Sequence, residues 1–422
     1  MATQSVRESR PARRWRPPRL ALSVRAMMIL VLVLGGGIGW YGYRVRLRRE
    51  AVEAIRRAGG QVSYDWEWDG KSYKPNARPP APKWVVDRLG VDAFGHVAGV
   101  WGGPEIVEPL RAHADEFKRL ESLGFYPRHV TAADPPTWRN VNDADIARLP
   151  ALRNLKRLGL DGTEVTGAGL SCLRGMPHLR ELSLMGVPLT DADIGKIAGL
   201  TELEKLNLYG STITDAGMAR LKGLDRLESL QFFGAPITDA GLQTLRGFRR
   251  LRVLSLWRTR VTDLAPLRDL SGLTVLVIIE TPIDDQGLAP VAGLTELRTL
   301  LLADTSITDA GLGHLKKLNN LTHLNLSHTR VTDDGLAHLA DLSNLANLDL
   351  SRTQVGDAGL VHLTGLSRLS QLRLDSTRVT DAGLSTLASL PGKTRVDVRS
   401  TRATLAGAAA LEAKAPNLTV YP

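Results

Sequence analysis

TDAGLGHLKKLNNLTHLNLSHTRV, residues Thr308 to Val331, decides the reading of this chain, because nearly the same 24 letters return before it and after it. Earlier copies begin at Asn142, Thr166, Thr190, Thr214 and Thr238. A copy two residues shorter starts at Thr262, and 24-residue copies resume at Asp284, Thr308, Thr332, Gly356 and Thr380. Within Thr308–Val331, Leu312, Leu315 and Leu318 recur every third residue, as one face of a short helix requires, with Thr308 or Asp309 placed to cap its start. The period then changes to two. Leu324 and Leu326 alternate with His323, Asn325 and Ser327, a strand with one face buried and the other open. Neither element can bury its apolar face alone, so the copies must stack strand beside strand and helix beside helix around one continuous core. The fold class expected is α/β, a curved solenoid with its strands on the concave side.

LTHLNLSHTRV (Leu321 to Val331) and LANLDLSRTQV (Leu345 to Val355) resemble the hallmark of the leucine-rich repeat family, LxxLxLxx(N/T)x(L/I/V). About eleven copies hold the register from residue 142 to 403. The resemblance implies a horseshoe with a parallel sheet inside and helices outside. One departure matters. Thr163, Thr259, Thr281, Thr305, Thr329, Thr353, Thr377 and Thr401 stand where the family usually has asparagine, so hydroxyls are expected to make the buried hydrogen-bond ladder.

The repeats are preceded by residues of another kind. The net charge of +10 is confined to residues 1–57, where 13 arginines face Glu8, Glu50 and Glu53; the remainder has 54 − 13 = 41 basic and 44 − 3 = 41 acidic residues. A neutral array excludes a nucleic-acid reading of the high pI. Ala26 to Tyr43, AMMILVLVLGGGIGWYGY, gives a helix of roughly 27 Å, enough for one transmembrane span, with Trp40, Tyr41 and Tyr43 at one interface and Arg25 at the other. A cleaved signal peptide is the rival, but no small-x-small site follows. Arginines flank the run on both sides, so orientation rests on the short tail before a large domain, which places the repeats on the non-cytoplasmic side of the cell membrane. Gly35 and Gly39 form a GxxxG that allows a homo-oligomer.

The expected organisation is a basic tail (1–25), a transmembrane helix (26–43), a juxtamembrane segment (44–82), an N-terminal cap with degenerate repeats (83–141), the repeats (142–403) and a C-terminal cap (404–422). Within the juxtamembrane segment Arg49 to Gly60 reads as a separate short helix stopped by two glycines, and Gln61 to Tyr73 as a hairpin turning at Asp69 and Gly70, with Tyr64, Trp66 and Trp68 on one face. Pro75, Pro79, Pro80 and Pro82 make an extended link. A helix is expected around Leu110 to Leu123, and a proline-rich insertion at 134–137. The opening, with Ile29 to Trp40, Arg49 to Gly60 and Tyr64 to Glu67, resembles a group of planctomycete membrane-anchored leucine-rich repeat proteins, a resemblance that brings no biochemical activity with it.

The sequence carries no catalytic constellation. His314, His338 and His362 share a helix position with Arg148, Cys172, Lys196, Arg220, Thr244 and Pro290, which marks a tolerant outer position rather than a metal site. The repeated Asp215, Asp239, Asp309, Asp333 and Asp381 are explained by helix starts, and no HExxH, CxxC, phosphate loop or GxSxG occurs. Neither a catalytic group, a metal nor a cofactor is expected. The open strand positions say more. Asp161, Met185, Tyr209, Phe233, Trp257, Ile279, Ala303, Ser327, Ser351, Asp375 and Arg399 follow one another across the sheet, and five neighbours are large and apolar. At a strand spacing of about 4.8 Å, Met185 to Ile279 cover roughly 19 Å, widened by Val253, Val275, Val277 and Leu301. Such a patch with a polar rim marks a surface for a protein or peptide ligand. The competing readings are cross-strand packing that only stabilises the sheet, carbohydrate stacking on Tyr209 and Trp257, and a structural, self-associating envelope component with no specific ligand.

Overall fold

The computed structural model describes residues 23–67, 74, 77–125, 141–149 and 152–422. The chain divides into two compact units, Met1–Glu50 and Ala51–Pro422. The first is carried by helix α1 (Val24–Arg57), whose apolar stretch is long enough to cross a membrane and is not buried in protein. Leu32 and Ile38 are each 73% exposed. Most of the basic tail lies outside the described residues.

In the second unit, fifteen strands among the described residues form one sheet in chain order. They are β1 (Gln61–Tyr64), β2 (Val97–Gly102), β3 (Ser122–Phe125), β4 (Arg157–Gly159), β5 (Glu181–Ser183), β6 (Lys205–Tyr209), β7 (Ser229–Phe233), β8 (Val253–Trp257), β9 (Val275–Val277), β10 (Thr299–Leu301), β11 (His323–Asn325), β12 (Asn347–Asp349), β13 (Gln371–Arg373), β14 (Thr394–Asp397) and β15 (Leu418–Tyr421). From β2 onward every pairing is parallel, and equivalent repeat positions lie side by side: Leu300 beside Leu324, Leu324 beside Leu348. Leucines of the inner sheet face and of the short helices are almost wholly buried in one continuous cluster.

What fixes one repeat against the next in most of the array is the Thr-Asp-x-Gly that opens the helices at Thr214, Thr238, Thr308, Thr332 and Thr380. Thr332 donates its amide to Asp309 Oδ1 at 2.8 Å and its hydroxyl to Asp309 Oδ2 at 2.6 Å, one repeat back. The same pair of bonds joins Thr238 to Asp215, Thr262 to Asp239, Thr308 to Asp285 and Thr380 to Asp357. In most of these repeats the threonine oxygen also accepts from an amide of its own helix, as Thr308 does from Ala310 at 3.3 Å. The glycine makes room for the aspartate. A Cβ at Gly335 would lie 2.3 Å from Asp309 Oδ1, and one at Gly241 would lie 2.4 Å from Asp215 Oδ1.

An exception supports this reading. The copy at Thr166 has Gly167 in place of the aspartate, and the following copy has Asp193 in place of the glycine. A Cβ on Gly167 would come within 1.7 Å of Asp193 Oδ1, so the carboxylate occupies the vacated space. Thr190 then bonds to Asp193 of its own helix, through its amide at 2.9 Å and its hydroxyl at 2.7 Å. The aspartates are therefore more than helix starts, which is all the sequence assigned them.

The threonines in the asparagine column are hydrogen-bonded through their hydroxyls, as expected, but within a repeat. Their hydroxyls do not link repeats; each donates to a carbonyl three residues back in its own turn, Thr305 to Leu302 and Thr329 to Leu326 at 2.6 Å. A hydroxyl has one proton and a short reach, so it closes its own turn, whereas a carboxylate on a neighbouring repeat has two acceptors to offer.

Both ends are covered. The expected short helix at Arg49 is continuous with the apolar one, and Ala51, Val52 and Ile55 are fully buried in the core of the second unit. The helix ends where Gly59 turns left-handed (φ 77°), with Gly60 N–H bonding Ile55 C=O at 2.9 Å. β1 pairs antiparallel with β2, and Asp65–Glu67 form a 3₁₀ turn. β2 has an edge that no preceding repeat covers, and β1 satisfies it. Trp68, Asp69, Gly70, Pro75 and the 134–137 insertion lie outside the described residues. Tyr64 stacks on Trp66 (4.6 Å between centroids, 4° between planes) and donates to buried Asp92 at 2.7 Å; burial, then that bond, raises its pKa. The helix expected over Leu110 to Leu123 stops at Ala112, because Ser122–Phe125 pair with β2 as a strand. At the far end the amides of Leu418 and Val420 are taken by Ala415 C=O (2.9 Å) and Glu412 Oε1 (2.8 Å), so these two residues offer no amide to a further strand.

Two outcomes are expected of the clamp. Asp309→Ala and Gly335→Ala should each lower unfolding stability by about 2 kcal/mol, one by orphaning Thr332 and the other by steric conflict, while the double variant loses much less than the sum; additive losses in denaturant unfolding would break the account. Asp239 carries the second. Burial raises its pKa, but the Thr262 hydroxyl and the Thr262 and Asp263 amides lower it further, for a net depression. Its stabilisation is present above the unfolded pKa and is lost as pH falls through the lower folded one, below about pH 4. Asp239→Asn should flatten the acid limb of the unfolding curve.

Candidate functional site

Parallel register puts every open-face side chain in a column shared with its neighbours. Tyr209 lies beside Phe233, and Phe233 beside Trp257. Their leucine partners, Leu208, Phe232 and Leu256, point into the core and are fully buried, so alternation forces the three rings outward. Met185 precedes them with 45% of its surface exposed, and Ile279 follows. Val253, Val277 and Leu301 are half-buried beside them, so the eight residues expected at the patch all stand on the open face.

The rings touch one another. Phe233 meets Trp257 edge-on at 4.9 Å, and Tyr209 lies 5.8 Å from Phe233 and 6.5 Å from Trp257. Polar atoms at their margins are anchored: the Tyr209 hydroxyl lies 3.1 Å from Ser255 Oγ, and Trp257 Nε1 donates to Glu280 at 3.1 Å. Arg258 sits 5.5 Å over Phe233 and pairs with Glu280 at 3.0 Å. The result is a fixed apolar surface with a charged rim on one side. Ring–ring contacts of this kind contribute about 1 kcal/mol each, so part of the row's role is to stabilise the sheet.

Arg258 and Glu280 belong to a column the sequence reading passed over. The residue after each strand is left-handed. Gly162, Gly186, Gly210 and Gly234 fill this position first, and Arg258, Glu280, Asp304, His328, Arg352, Ser376 and Ser400 fill it afterwards, at φ of 52–58°. A non-glycine residue costs roughly 1 kcal/mol there, and seven in succession place side chains along one rim of the open face. The signal was present as the change from Gly to charged residues before the threonine column.

Beyond Leu301 the face turns polar. Asn325, Asp349, Arg373 and Asp397 continue the central column, and Ser327, Ser351, Asp375 and Arg399 the outer one. Arg373 lies 3.4 Å from Asp349 and 3.9 Å from Asp397, and Arg399 lies 3.2 Å from Asp375. On the helix side, His314, His338 and His362 are half-buried in successive repeats, in the outer column expected of them.

Comparison with known proteins concerns this architecture. Residues 295–355 match the family described as leucine rich repeat. No curated protein matches the chain. Among solved structures, an internalin of Listeria monocytogenes is similar at 23% identity and TM-score 0.49, over 73% of this chain and 91% of its own. A leucine-rich repeat protein of Leptospira interrogans is similar at 14% identity and TM-score 0.42, over 74% and 97%. The leucine-rich repeat ectodomain of a membrane receptor kinase of Arabidopsis thaliana is similar at 16% and 0.40, over 74% and 44%. The 24-residue period, the parallel ladder and the matched repeats make the array a leucine-rich repeat solenoid, preceded in the chain by one long apolar helix.

Proposed function

We propose that the chain is a membrane-anchored binding module that recognises a protein or peptide through the open face of its repeats. One observation carries the reading: Met185, Tyr209, Phe233, Trp257 and Ile279 form an unbroken apolar row, widened by Val253, Val277 and Leu301, on a sheet face that turns polar beyond them, with charged side chains along its rim. Open sheet faces favour polar residues, and aromatic residues with methionine are what protein-binding hot spots use. Two edge-on ring contacts do not require five consecutive apolar residues, nor an exposed methionine at the end of the row.

The anchor is the apolar stretch of α1, whose exposed Met, Ile, Leu and Val side chains suit lipid. A signal sequence has the same length and composition, and the flanking Trp40, Tyr41 and Tyr43 favour a retained span. The proposal places the repeats on the non-cytoplasmic side, in keeping with the resemblance of the opening to planctomycete anchored proteins. The chemistry assigned is recognition, without catalysis.

A second reading, a structural component that associates with itself, draws on the mutual packing of the rings. Growth by strand addition past β15 is disfavoured by the occupied amides of Leu418 and Val420, so self-association would have to use a face.

Capture from envelope extract by the full chain in detergent separates the readings. Any shortened bait should keep Ala51 to Ile55, which are core residues. Phe233→Ser with Trp257→Ser should abolish capture of a partner and lower unfolding stability by no more than about 2 kcal/mol. Met185→Glu, at an exposed position, should weaken capture without changing stability. Capture only of itself by all three chains, or a loss of stability far above that figure with capture retained, would favour the structural reading.

A further inference from the structure

The polar end of the open face has a layered charge arrangement. Asp304, 41% exposed, pairs with His328 in this region; beyond it, around strands β12 to β14, Asp349, Asp375 and Asp397 lie with Arg352, Arg373, Arg395 and Arg399. Depth separates them. Asp397 is 2% exposed, Asp349 17% and Asp375 21%, whereas Arg373 is 46% exposed, Arg395 53% and Arg399 60%. The carboxylates sit beneath, and the guanidiniums form the outer layer over them.

Each of these three carboxylates is spent on orienting a guanidinium. Arg373 bridges Asp349 and Asp397, Arg395 reaches Asp397 at 3.5 Å while lying 3.8 Å over the Tyr421 ring, and Arg399 is held by Asp375. A guanidinium has five N–H donors, and these contacts use one or two of them. Arg352, exposed on its left-handed residue, is paired with no acid among the described residues. Between these side chains lies an open cavity of about 490 Å³ floored by Ser327 and Ser351. Its surface therefore offers unspent donors, with Asp349 and Asp375 already occupied below and the lining Asp304 taken by His328.

From this layering we infer that the trough around Arg352, Arg373 and Arg399 is an anion subsite that takes the carboxylates of an acidic peptide segment, in the same ligand whose apolar segment lies on the aromatic row. The inference rests on the open face being the ligand surface. Guanidinium forks match carboxylates in bidentate geometry, and pre-paired arginines lose little rotamer freedom on binding. Trp257 on β8 and Arg373 on β13 are five strands apart, about 24 Å, which an extended chain of about seven residues crosses. Such a ligand has one apolar end and one acidic end, and its direction along the sheet is set.

The test uses full chain in detergent with fluorescent octaglutamate as probe and octaglutamine as neutral control, read by anisotropy. The basic tail binds octaglutamate in every variant alike, so differences between variants report the trough. Arg373→Gln with Arg399→Gln should weaken the trough component at least ten-fold, and Arg352→Gln, whose side chain orients nothing, two- to five-fold with unchanged thermal unfolding. Phe233→Ser with Trp257→Ser should leave octaglutamate binding as it is, which separates failure of the trough from failure of the apolar surface. Equal octaglutamate affinity in wild type and both arginine variants would overturn the inference, as would equal binding of octaglutamine.

Discussion

The carboxylate of one repeat binding the amide and hydroxyl of the next is the constraint on which this structure depends. Leucines bury well in many registers, since apolar contact has no direction; the Asp–Thr clamp does. It permits one offset between helices, and the parallel ladder then permits one offset between strands. The glycine of the following repeat, Gly335 for Asp309, pays for the close approach by giving up its Cβ. The exchange at Gly167 and Asp193 shows the same geometry solved with the two residues swapped, a carboxylate filling the space from the other side.

Fixed register is what gives the open face its meaning. Were the strands free to slip by a residue, apolar and polar side chains would trade faces, and no row could persist across five repeats. Held in place, Tyr209, Phe233 and Trp257 align beside one another and the sheet acquires an apolar middle. Further along, the same columns carry Asp349, Arg373, Asp397 and Arg399, with acids set deep and bases outward. A surface graded in this way along one axis suits an elongated partner better than a compact one.

Much of this was legible in the chain. The 24-residue period and its change from threes to twos named the architecture, and alternation alone placed Met185, Tyr209, Phe233, Trp257 and Ile279 outward. The clamp was not legible, because its two halves lie 23 residues apart and Asp after Thr has an adequate local explanation as a helix start. The hydroxyl ladder was legible as a column of threonines, though not which carbonyl each would reach: every one closes its own turn. The pairing of β1 with β2 was not legible either, because the two strands are separated by more than thirty residues with no repeat register between them. The left-handed column escaped notice because arginine, glutamate and histidine do not announce a positive φ as glycine does.

The claim at the centre is that the row from Met185 to Ile279 faces a partner. Photo-crosslinking in living cells measures this directly, with a benzophenone amino acid installed at the exposed Met185 and, as control, at the exposed Val361 on the helix side. The account predicts a discrete adduct of higher mass from position 185, carrying a second protein, and none from position 361. Adducts of the chain with itself alone, or no adduct from either position, would contradict it.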